Sequence, residues 1–152
     1  MAKPHEYFIR EALKEAKKAL KKDEVPVGAV VVLAGKIIGK GHNENISLND
    51  PTAHAEIQAI RQAALKLKNY RLNGCKLYVT VEPCAMCAGA MVWARVSEII
   101  YGAPDVKAGA CGSVFNIVSN KKLNHRIKVM DNVLEKQCRE TIQKFFRKKR
   151  SK

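Results

Sequence analysis

The chain has 152 residues, enough for one domain with a substantial core, and its 47% apolar and 28% charged residues are an ordinary globular balance. No apolar run approaches the ~20 residues that a membrane-spanning helix needs. The start, MAKPHEYFIREALKEAKK, lacks the apolar segment of a secretory leader, so a cytoplasmic address is expected. Lys and Arg number 28 against 14 Asp and Glu, a net charge of +14 that favours polyanionic partners through attraction and counterion release.

The first predicted element is a helix over 5–21, with Ile9, Leu13, Ala16 and Leu20 at helical spacing. EVPVGAVVVLAGKIIGKGHN, residues 24–43, reads as two strands joined by a tight turn at Ala34-Gly35. Asp50-Pro51-Thr52 offers helix-start chemistry ahead of the stripe Ile57, Ile60, Ala64 and Leu67. CKLYVTVEP is a strand that stops at Pro83, CAMCAGAMVWARV a helix, and SEIIYGAPD a further strand. A short helix over 112–119, a strand over 125–130 and a last helix from about 132, with Leu134, Cys138, Ile142 and Phe145 as its stripe, complete the prediction. Strands alternating with helices imply a mostly parallel sheet covered on both faces. The expected fold is one α/β domain over 1–152, a three-layer α/β/α sandwich. Its five-stranded mixed sheet has an antiparallel first hairpin and parallel remaining strands.

Five cysteines without a leader argue against a disulfide framework. Cys75, Cys111 and Cys138 read as small buried hydrophobes. Cys84 and Cys87 form a C-x-x-C, and residues at i and i+3 share one side of a helix, so both sulfurs can reach one ion. Pro83 suits the first turn of that helix. A helix N-terminus also lowers thiol pKa and favours the thiolates that a metal requires.

His54 and Glu56, in TAHAEI, are two residues apart and face different ways inside a helix. They converge only at a helix's first turn, where Asp50-Pro51-Thr52 places them. Two helix N-termini, near 53 and 84, must then meet at one metal, and parallel strands deliver helices to the same sheet edge. His54, Cys84 and Cys87 are three ligands, and a catalytic zinc site keeps its fourth position for water. Glu56 is then not a ligand but a proton carrier. H-x-E followed by P-C-x-x-C is the pattern of zinc-dependent nucleobase deaminases.

Beyond that pattern, the sequence resembles the tRNA-specific adenosine deaminases of the cytidine/deoxycytidylate deaminase superfamily. The resemblance spans almost the whole chain: EVPVGAVVV, the His42-Asn43 pair, DPTAHAEI, NYRL, LYVTVEPCAMCAGAM, GAPDVKAGACGS, NHR at 124–126 and FFRKKR at 145–150. It implies a cytidine deaminase-like fold with zinc on His54, Cys84 and Cys87. The implied reaction turns the wobble adenosine of a tRNA anticodon stem-loop into inosine, with zinc-bound hydroxide attacking C6 and Glu56 shuttling protons. The Asn43 side chain and the Ala55 backbone are implied to contact the flipped base. Asp105, Lys107, Asn124, Phe145 and Arg150 match positions lining the anticodon-loop groove, and the family is homodimeric. Trp93-Ala94 departs from the smaller or polar residues usual in relatives.

Two other functions fit parts of the sequence. A deaminase of a free base, nucleoside or nucleotide, of cytidine or guanine type, would share the zinc motif, and the charge argues against it. An RNA-binding module with structural zinc would need a fourth protein ligand, for which Cys111 is the candidate. Phe145 fits its helix stripe as well as a stacking platform, and RKKR at 147–150 fits a solvated helix end. His5 and His42 read as surface or local hydrogen-bonding residues, and His125, between Asn124 and Arg126, as structural.

Overall fold

The computed structural model describes residues 3–150. Its elements are α1 (His5–Lys21), β1 (Gly28–Leu33), β2 (Lys36–His42), α2 (Ala55–Leu67), β3 (Lys76–Val81), α3 (Ala85–Trp93), β4 (Glu98–Ala103), β5 (Lys128–Met130) and α4 (Glu135–Arg150). The sheet order is β2-β1-β3-β4-β5. β1 runs antiparallel to both β2 and β3, whereas β3, β4 and β5 are mutually parallel. Ala34 and Gly35 turn the first hairpin with φ of 51° and 77°, as a two-residue loop matched to strand twist requires.

Side-chain alternation along the strands builds the three layers. Val30, Val32, Tyr78 and Ile100 face Phe8 and Ile9 of α1 and Cys138 of α4. Ala29, Val31, Leu77, Val79 and Ile99 face Ala55, Ala59 and Ala63 of α2 and Ala88 and Met91 of α3. Gly41 lets α2 approach the sheet without a cushion, since a Cβ there would run into the Ala55 carbonyl.

Two predicted features differ. Residues 112–119 form turns and an isolated Cys111–Asn116 bridge rather than a helix: Gly112 adopts a φ of 134°, and the N–H groups of Phe115 and Ile117 reach back to the carbonyls of Gly109 and Ala110 instead of pairing at helical spacing. The last helix starts at Glu135, not near 132, because Asn132 and Leu134 adopt φ of 57° and 51°.

The topology sets one functional edge. Cys84 follows the C-terminal end of β3, and the antiparallel β1 begins on that same side, where the Gly28 N–H donates to Thr80 Oγ1. Gly28 pairs with His42, so β2 ends there too and delivers Asn43.

Candidate active site

Both ligand-bearing helices begin at this edge with a ligand in the cap position. His54 precedes α2 with extended φ,ψ of −76° and 157°, and Cys84 precedes α3 at −75° and 176°. His54 therefore stands outside the helix while Glu56 lies in its first turn, which removes the conflict of their two-residue spacing. Asp50 shapes the approach, its Oδ1 accepting from the Thr52 N–H at 2.8 Å and the Thr52 hydroxyl at 2.7 Å.

His54 Nδ1 lies 3.6 Å from Cys84 Sγ and 3.5 Å from Cys87 Sγ. A tetrahedral zinc ion with Zn–S of about 2.3 Å and Zn–N of about 2.1 Å separates such a pair by about 3.6 Å. The donor set and its spacing thus fit zinc. Among the described residues, Cys111 does not join the cluster, and no other Cys, His or carboxylate does. A site closed by four protein ligands is not what these residues make. The Cys87 thiol, and after it the His54 ring, hold Cys84 down at about 3 despite burial. Its bond to Cys84, then burial, keep the proton on Cys87. Binding an ion there would release that proton.

Glu56 is 4% exposed. Burial pushes its carboxyl up to about 7, with its own backbone N–H and the Cys87 thiol only partly offsetting that. A carboxyl raised toward neutrality by burial, beside a candidate metal-ligand cluster, is suited to general acid–base work.

Asn43 is buried, and its Oδ1 accepts the Ala55 N–H at 2.8 Å. The Ala55 donor is therefore engaged within the protein, and the Asn43 amide NH2 is the group that makes no bond among the described residues. Asp105 caps its own turn, its Oδ1 accepting from the N–H groups of Lys107 at 3.0 Å and Ala108 at 3.1 Å, which leaves the Lys107 side chain exposed. An antiparallel bridge between Cys84 and Gly109 ties this loop to the cluster. Arg150 lies exposed on the last turn of α4, and the Lys149 ammonium, 2.6 Å from Asp23, brings that turn to the β1 end of the edge.

Two groove residues are placed differently. Phe145 is 8% exposed and lines a cavity with Lys17 and Leu20 at the end of α1, while Phe146 is 41% exposed. Asn124 precedes β5 and therefore lies at the opposite sheet edge, where its carbonyl accepts from Arg95 Nη1. It lines a cleft with Tyr70, Trp93 and Arg95 beyond the end of α3, about 13 Å of helix away from Cys84. His5 bonds the Tyr78 hydroxyl and His125 the Val96 carbonyl, local roles as the sequence suggests.

Glu82 was not among the site residues read from the sequence. It is 3% exposed and accepts hydrogen bonds from the N–H groups of Asp105, Cys111 and Ser113. The signal was a lone charge ending an apolar strand, next to Pro83-Cys84.

A three-layer α/β/α fold with this His/Cys/Cys cluster and buried glutamate defines a deaminase of the cytidine deaminase-like fold. The family profile of the MafB19-like deaminases matches residues 3–150. The tRNA-specific adenosine deaminase of Aquifex aeolicus is 49% identical over 146 residues, 96% of each chain. That of Bacillus subtilis is 45% identical over 97% of this chain and 91% of its own. A solved structure from studies of A-to-I editing by tRNA:A34 deaminases superposes with a TM-score of 0.86 at 44% identity, covering 89% of this chain and 98% of the other. The chain belongs to the MafB19-like deaminases and, among them, to the tRNA-specific adenosine deaminase family.

Proposed function

We propose that the protein hydrolytically deaminates adenosine to inosine at the wobble position of a tRNA anticodon loop, releasing ammonia. The observation that carries this reading is the 49% identity, over 96% of both chains, to a relative named a tRNA-specific adenosine deaminase, and the wobble position is suggested by the 44% identity to a structure from studies of A-to-I editing at that position. His54, Cys84 and Cys87 would hold zinc, which when bound would supply an activated water and Lewis acidity. Glu56 receives a proton at its carboxylate and delivers protons to ring nitrogen N1 and then to the leaving amino group. The Asn43 amide faces the base, while its Oδ1 keeps α2 in place.

An anticodon loop suits this site because extruding an already unpaired base costs least. Lys107 and Arg150 hold phosphates, and Phe146 is better exposed than Phe145 for stacking. We further propose a cytoplasmic homodimer. Leu65, Tyr70 and Trp93 are exposed, Trp93 at 82%, and lie along adjoining clefts, an apolar face that supports association. Asn124 lines the same face, so in this reading it meets RNA bound by the partner subunit.

The test is incubation with an anticodon stem-loop carrying adenosine at the wobble position, with free adenosine, cytidine and guanine alongside. Inosine confined to the wobble position, detected by mass spectrometry and absent with Glu56→Ala, is the expected result. Ammonia from a free base or nucleoside, with no RNA product, overturns the substrate and keeps the chemistry.

A further inference from the structure

Glu82 is a buried carboxylate that the proposed chemistry leaves unused. It stands at the step from β3 to Cys84. Its Oε1 accepts the Asp105 N–H at 3.0 Å and the Ser113 hydroxyl. Its Oε2 accepts the N–H groups of Cys111 at 2.9 Å and Ser113 at 3.1 Å. These donors come from both stems of the 104–113 loop, so one carboxylate clasps the loop at its two ends. The Ala110 N–H donates to the Pro83 carbonyl at 2.8 Å, and Gly109 pairs with Cys84. Gly109 lies so close to the Glu82 carboxylate that a Cβ there would overlap it. The outer turn of the clasped loop carries exposed Val106 and Lys107.

We infer that Glu82 is a positioning residue for substrate binding, holding the 104–113 loop on the ligand segment so that Lys107 is presented at the edge where the metal cluster lies. This inference rests on the RNA reading above. A carboxylate suits the task because it accepts at both oxygens. Glutamine cannot replace it: an NH2 in place of Oε1 faces the Asp105 N–H, and in place of Oε2 it faces those of Cys111 and Ser113. Either orientation sets donor against donor and leaves a buried N–H unpaired.

The experiment compares wild type, Glu82→Gln and Ser113→Ala as metal-loaded enzymes on the wobble-adenosine stem-loop. For Glu82→Gln, KM is expected to rise about tenfold with kcat little changed, the pattern of lost uniform binding. Hydrogen exchange should speed up at the Asp105, Cys111 and Ser113 amides, while the cobalt-substituted protein keeps its thiolate absorption bands. Adding Lys107→Ala to Glu82→Gln should cost less than it does in wild type. Ser113→Ala removes only the hydroxyl bond, and a smaller KM rise of about threefold is expected, which keeps the inference testable should Glu82→Gln not fold. An unchanged KM in the folded variants, or a fall in kcat alone, overturns it. A wild type without RNA activity overturns the substrate reading instead, and faster exchange at the three amides still tests the clasp.

Discussion

Glu56 and Glu82 are two buried carboxylates near the His54/Cys84/Cys87 cluster, at 4% and 3% exposure, and their surroundings differ in kind. Glu56 lies in the first turn of α2 with few donors, and burial lifts its acid to about 7. Glu82 meets three backbone N–H groups and a hydroxyl. A carboxyl short of donors can pick up and release a proton, whereas one surrounded by donors works as a joint. The same residue type is given opposite tasks by where the backbone aims its N–H groups.

Glu56→Gln tests the mobile half of that contrast and has the largest expected effect. Turnover should fall by about 10²–10⁴-fold while metal content and RNA affinity hold. Parallel loss of metal, measured by elemental analysis, would make Glu56 a ligand and end the contrast.

Glu24 offers a third buried carboxylate, built like Glu82. It accepts from the Ile46 N–H at 3.1 Å and from the Ser47 N–H and hydroxyl, both at 2.7 Å. Burial pushes its acid up, but these bonds outweigh that and hold it below its ordinary value. Because the folded value is the lower one, its stabilisation is present above 4.5 and is lost as pH falls through the folded value. Glu24→Gln should therefore cost about 1–3 kcal/mol at pH 7 in denaturant melts, shrinking on acidification. A cost independent of pH would remove the ionic contribution.

Asn43→Ala should destabilise by about 0.5–2 kcal/mol, the value of a helix cap, and also raise KM for RNA. A stability loss with KM unchanged would confine Asn43 to capping. The smallest expected effect is that of Lys107→Ala, which should flatten the logarithmic salt dependence of RNA binding by about 0.7 for one lost phosphate contact. An unchanged slope would leave the Glu82-held loop without its RNA contact.

The cluster was legible because its residue types and spacings form a known pattern, H-x-E followed by P-C-x-x-C, even though His54 lies 30 and 33 positions from Cys84 and Cys87. The C-x-x-C spacing sets Cys84 at the cap of α3 and Cys87 in its first turn, and Asp50-Pro51-Thr52 marks where His54 stands outside α2. The hairpin and both faces of the sheet followed from alternation and turn residues. Glu82 was not legible, because its partners are mostly backbone N–H groups, which every residue type carries and which leave no sequence signal. The helix expected over 112–119 failed for a related reason, since Gly112 takes a φ of 134° and backbone N–H groups of Phe115 and Ile117 pair with the Gly109 and Ala110 carbonyls, contacts that side-chain spacing does not show. Phe145 continues the stripe of Cys138 and Ile142 and is the buried ring, so helical spacing already separated it from the exposed Phe146.

Asn43 has a consequence for the order of folding. Helices usually take their cap from the residue just before them, and His54 makes no side-chain cap bond. The cap of α2 arrives instead from the far end of the first hairpin, 12 residues upstream. The first turn of α2, with His54 and Glu56 on it, is therefore completed by a tertiary contact and not by its own sequence. A chain released from denaturant should acquire its metal only after the hairpin has docked, which would make metal uptake a late event in maturation.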